Sequence, residues 1–76
     1  MEHIINRVSE LRKLTNVTQE DLAKEVQVSR QTIIAIEKGH YTPSLMLGLK
    51  IARYFKKSVE EVFIYKQSFS SNKYEK

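Results

Sequence analysis

Thr18-Gln-Glu-Asp-Leu-Ala-Lys-Glu-Val-Gln-Val-Ser-Arg-Gln-Thr-Ile-Ile-Ala-Ile-Glu-Lys-Gly39 reads as two short helices joined by a tight turn. Thr18 is placed to cap the first helix, with Asp21 three positions on in a shortened capping box. Leu22, Ala23 and Val26 share one face at helical spacing. Ala23 is small where two helices cross closely, and a larger side chain there would push them apart. Val28 plugs the turn, Ser29 caps the second helix, and Ile33 and Ile36 face inward at i, i+3 spacing. Arg30, Gln31, Thr32 and Ala35 are left pointing out, with Ile34 near the same outer face. A packed pair with a polar second helix is suited to entering the major groove of double-stranded DNA.

The flanking segments read as support. Asn6 is the expected start of a first helix with Val8, Leu11 and Leu14 turned inward, ended by Thr15-Asn16-Val17. Gly39 is a C-cap, and His40-Tyr41-Thr42-Pro43 leads to a fourth helix capped by Ser44. That helix carries Leu47, Gly48, Ile51, Ala52 and Phe55 on one face and Leu45 and Leu49 on an adjoining one, a wider apolar surface than one small core requires. Ser58 and Glu61 make a capping box for a last short helix with Val59 and Val62, followed by the strand-like Phe63-Ile64-Tyr65. One domain is expected over residues 1–66, with a polar, Ser-rich tail over 67–76.

Composition restricts the function classes. Seventy-six residues support one modest core. The chain has no cysteine, and His3 and His40 have no partners at metal-ligand spacing, so no metal or other cofactor is expected. No Gly-rich phosphate loop or nucleophile elbow is present, and the adjacent Glu60-Glu61 is explained by capping and the helix dipole, so the chain is not read as an enzyme. Its apolar runs are short and its first residues are not signal-like, so a cytoplasmic, bacterial or phage-type, nucleoid-associated protein without membrane contact is expected. The net charge of +4 and pI near 9.5 suit a polyanion only modestly, because Lys66, Lys73 and Lys76 against Glu75 place two of the four charges in the last eleven residues.

The central motif, together with Leu11-Arg12, Pro43-Ser44-Leu45 and Lys50-Ile51-Ala52, strongly resembles the Cro/CI-type (Xre-family) helix-turn-helix regulators, over roughly Asn6 to Phe63. The resemblance implies an all-α, five-helix, lambda-repressor-like fold, with a small two-stranded antiparallel sheet from Ile4-Ile5 and Phe63-Ile64-Tyr65 in the manner of short stand-alone members. The turn position usually held by Gly is Gln27 here, a left-handed site at which a non-Gly residue costs roughly 1 kcal/mol.

It also implies roles. Arg30, Gln31, Thr32 and Ala35 are the candidate base contacts, Arg suiting guanine and Gln adenine. Thr18, Gln19, Ser29, Lys38, His40, Tyr41 and Ser44 are the candidate phosphate contacts. Arg12 and Glu37 are assigned to a partly buried structural ion pair and kept out of the interface.

The expected partners are a palindromic operator and a second copy of the chain, meeting through Leu45, Leu49, Val59, Val62, Phe63 and Tyr65, with no small-molecule ligand. A repressor is expected, since no activation or sensor unit is visible in the sequence. Two alternatives stand beside it. One is an antitoxin, for which the tail offers only Phe69 and Tyr74 as apolar anchors, and the other is a protein-binding adaptor on the same fold.

Overall fold

A computed structural model describes residues 2–67. The tail expected over 67–76, including Phe69 and Tyr74, lies outside the described residues from position 68 onward. The order of elements is β1 (Glu2–Asn6), α1 (Val8–Leu14), α2 (Gln19–Val26), α3 (Arg30–Glu37), α4 (Leu45–Tyr54), α5 (Val59–Val62) and β2 (Phe63–Gln67). The strands pair antiparallel, with Ile4 opposite Tyr65, Ile5 opposite Ile64 and Asn6 opposite Phe63. Five helices and the small terminal sheet are therefore the architecture that the resemblance implied.

The helix starts follow from local chemistry. Thr18, Ser29, Ser44 and Ser58 each sit in extended backbone and accept the N–H three residues on with their side-chain oxygen. Only Ser58 forms the reciprocal box, donating its own N–H to Glu61 at 2.8 Å, and that bond holds the Glu61 carboxyl below the usual carboxylate range. At α1 the outcome differs from expectation: Asn6 ends β1, and Arg7 holds the cap position with no side-chain capping bond. Asn6 still serves the helix start, because its Oδ1 accepts the Val8 N–H at 3.2 Å while its Nδ2 donates to the Ile36 carbonyl at 2.9 Å. One amide thus joins the start of α1 to the end of α3.

The helix ends share one device. After α1, α2, α3 and α4 a residue in left-handed backbone reverses the chain: Asn16, Gln27, Gly39 and Lys56, with φ of 60°, 65°, 78° and 60°. In each case the next N–H reaches back to a carbonyl in the last turn, as from Val28 to Ala23 (2.9 Å) and His40 to Ala35 (2.9 Å). Gln27 therefore holds the conformation that the sequence assigned to it, and Lys56 holds it as well.

The core is one cluster that includes Val8, Leu22, Ile33, Ile36, Ile51 and Val62, each at most 1% exposed. Ala23 is buried between α2 and α3, Val28 packs against the cluster from the turn, and Tyr54 meets Phe55 edge to face at 5.1 Å.

Two expectations fail here. Leu14 is 72% exposed and does not pack inward. At about 100° per residue, Val8, Leu11 and Leu14 drift by some 60° at each step, so the third leaves the buried stripe. Val62 is fully buried and cannot touch a partner copy, because the single turn of α5 aims it into the core while its carbonyl accepts the Arg7 N–H at 2.8 Å.

Candidate nucleic-acid interface

The sequence makes the second motif helix polar on one side, and the fold turns that side outward. Arg30 and Gln31 are exposed in the first turn of α3. Thr32 and Ala35 are half-buried, as is Ile34. The Ser29 and Thr32 hydroxyls lie 3.0 Å apart, and Ser29 Oγ also accepts the Thr32 N–H at 3.2 Å. The capping bond consumes one lone pair of the Ser29 oxygen. Neither hydroxyl is removed from use, since each can still share a proton with an outside acceptor.

An open cleft brings Arg30 together with Thr18 and Gln19 at the start of α2, and with Lys13 and Asn16 at the end of α1. Lys13 and Asn16 are functional candidates that motif reading leaves out. Their signal is only spatial, because the left-handed turn at Asn16 carries the end of α1 to the mouth of the motif.

Lys38, His40 and Tyr41 lie beyond the other end of α3 and are exposed. Tyr41 lines a separate hollow with Gly39, Thr42 and β1 residues. Ser44 accepts the Leu47 N–H at 3.2 Å and caps α4. The candidate phosphate contacts thus come from three places: Thr18 and Gln19 at the start of α2, Ser29 before α3, and Lys38, His40, Tyr41 and Ser44 after it.

Arg12 and Glu20 also line the cleft, and Arg12 grips Glu37 in a fork: Nε donates to Oε2 at 2.8 Å and Nη2 to Oε1 at 3.2 Å. Their side chains are 13% and 8% exposed, and Arg12 Nη1 also donates to the Val17 carbonyl at 3.0 Å. The pair ties α1 to the last residue of α3. Glu37 Oε1 accepts a further bond from Gln19 Nε2 at 3.1 Å.

Charge is distributed unexpectedly. Residues 38–59 hold Lys38, Lys50, Arg53, Lys56 and Lys57 and no carboxylate, more positive charge than the whole chain has net. In α2 and α3, Glu20, Asp21, Glu25 and Glu37 outnumber Lys24 and Arg30. The surface around Arg30 and Gln31 is accordingly hydrogen-bonding rather than densely cationic. Among the described residues no group of histidines and carboxylates could hold a metal ion.

A helix-turn-helix family model matches residues 8–62, from the start of α1 to the end of α5. The chain belongs to the Xre-type helix-turn-helix family. It is 60% identical over 60 residues to an uncharacterized HTH-type transcriptional regulator of Methanocaldococcus jannaschii, covering 79% of this chain and 91% of that protein. The regulator YgzD of Bacillus subtilis is 52% identical over 58 residues, covering 76% and 88%.

Among solved structures, the restriction-modification controller protein C.AhdI of Aeromonas hydrophila superposes with a TM-score of 0.68 at 31% identity, over 72% of this chain and 83% of that one. The clp gene regulator ClgR of Corynebacterium glutamicum shares the fold, with a TM-score of 0.67 at 24% identity over 71% of this chain and 57% of its own. This helix-turn-helix chain is a DNA-binding transcriptional regulator and not an enzyme. Among the described residues no helix is long and apolar enough to cross a membrane.

Proposed function

We propose that this regulator is a repressor that binds a palindromic operator as a homodimer. The observation that carries the reading is the cleft in which exposed Arg30 stands beside Thr18 and Gln19, so that one helix can reach base edges while the start of another meets the backbone. Arg30, Gln31, Thr32 and Ala35 contact bases. Thr18, Gln19, Ser29, Lys38, His40, Tyr41 and Ser44 contact phosphates, and Lys13 joins Thr18 and Gln19 in the cleft.

The second copy is supported by apolar surface left uncovered. Leu45, Leu49 and Tyr65 are 74%, 50% and 60% exposed, and they adjoin half-buried Val59 and Phe63. These residues lie on α4, α5 and β2, and contiguous exposed apolar surface marks an interaction site. A twofold pair would present two α3 helices to half-sites about one helical turn apart, and occupation of the site would exclude polymerase.

Selection of duplexes from a random pool at near-physiological salt tests this, with Arg30→Ala in parallel and sedimentation of the free protein. A palindrome whose preference relaxes at one position in the variant is the expected result, at a cost of about 1–3 kcal/mol. Salt-sensitive binding without a motif, equal in both proteins, would overturn it in favour of a protein-binding adaptor.

A further inference from the structure

Gln19 opens α2 and is half-buried, and its amide has two faces of opposite character: Nε2 with two protons to donate, and Oε1 that only accepts. What chooses between them is Glu37, eighteen residues away at the end of α3. Its carboxylate accepts from Gln19 Nε2 at 3.1 Å, and the same oxygen accepts from Arg12 Nη2 at 3.2 Å. A flipped amide would bring Gln19 Oε1 against this oxygen, two acceptors with no proton between them. The carboxylate cannot escape by turning, because Arg12 holds both of its oxygens in the fork and is itself held by the Val17 carbonyl. Orientation therefore passes from Arg12 to Glu37 to Gln19.

We propose that Glu37 is a positioning residue for DNA binding: it locks the Gln19 amide so that the second Nε2 proton is presented to a backbone phosphate in the cleft beside Lys13 and Arg30. The inference rests on the DNA reading above. One proton of Nε2 is spent on Glu37, and the other remains for a ligand that accepts hydrogen bonds, as a phosphate does and a cation does not. Because Glu37 is also the last residue of α3, the phosphate donor is fixed relative to the helix that carries Arg30 and Gln31. A contact to the backbone thereby sets how the second helix lies against the bases. Glu37 itself touches no DNA.

The test separates this from a purely structural pair. Arg12→Met/Glu37→Met replaces both charges with apolar groups of similar length, so no charge is left buried alone. A thermal melt by circular dichroism establishes that the variant folds. Gln19→Ala is then measured for operator binding in both backgrounds. The expected loss is about fivefold in the wild type, the size of one net hydrogen bond, and close to none in the Met/Met background.

An equal loss in both backgrounds, or none in the wild type, would overturn the proposal. Independently of DNA and of that variant, the side-chain amide of Gln19 in the free wild-type protein should show one proton slowed in exchange by the carboxylate. Two protons behaving as in a free glutamine would overturn the positioning role while leaving operator binding intact. A wild-type chain that binds no duplex would overturn both readings.

Discussion

Helices α2 and α3 carry Lys24 and Arg30 against four carboxylates, whereas α4 and the turn after it carry Lys50, Arg53, Lys56 and Lys57 with none. The first region is organised by directed bonds. Glu37 is shared by Arg12 and Gln19, and both helix starts are capped by hydroxyls. The second has an apolar surface and four cations, with the Ser44 cap at its start and the Lys50 ammonium donating to Gln27 Oε1 at 3.0 Å. The contrast teaches that net charge and base reading need not occupy the same surface. Positive charge draws a polyanion from a distance at low salt, while donors fixed by neighbours decide which sequence is held.

The largest expected effect lies behind the hydrogen-bonding region. Glu37→Ala leaves Arg12, whose side chain is 13% exposed in the intact pair, without its carboxylate, which should cost about 3–5 kcal/mol. Total stability of a domain is about 5–15 kcal/mol, so thermal melts should show a largely unfolded or severely weakened protein. Lys50→Ala in the other region loses a single exposed bond and should stay within about 0.5 kcal/mol. Similar losses for the two variants would erase the distinction between the regions.

Next in size is a comparison of salt dependence. Lys13→Gln should weaken DNA binding uniformly across sequences and lower the salt slope by about one, and Arg30→Gln should also change the preferred base. Neutralising Lys50, Arg53, Lys56 and Lys57 together should leave the selected sequence unaltered and the slope nearly so. Loss of specific binding in that fourfold variant would instead make the cationic region part of the DNA interface.

The sequence was most legible where one residue decides the outcome locally. Thr18, Ser29, Ser44 and Ser58 were readable as caps because a short side-chain oxygen before an apolar run has few other uses. The inward faces of α2 and α4 followed from spacing alone. Leu14 was misread because i, i+3, i+6 leaves a helical stripe, whereas Arg12, four residues after Val8, stays near the inner side and finds Glu37 there.

Val62 was misread because one helical turn gives no period to judge by. The link from Gln19 to Glu37 and the place of Lys13 in one cleft with Arg30 could not be read, since they depend on how α1, α2 and α3 pack together. The cations of α4 were visible in the sequence but carry no motif to mark them.

A smaller effect than loss of the ion pair, and of opposite sign, concerns Gly48, buried in the middle of α4. A Cβ built there would lie 3.8 Å from both Phe63 Cε2 and Val59 Cγ2, an ordinary contact, so neither space nor backbone demands glycine. Alanine is favoured in a helix interior by about 1 kcal/mol, and Gly48→Ala should raise the melting temperature of the dilute protein by roughly 4–8 °C. The added methyl would also fill the floor of the hollow lined by Ile4, Leu45, Val59 and Phe63.

If a partner copy inserts a side chain into that hollow, the same substitution that stabilises the fold must weaken the dimer. Sedimentation should then show a raised dissociation constant alongside the raised melting temperature. A gain in stability with unchanged assembly would place the dimer contact elsewhere on the apolar face and leave the glycine without a binding role.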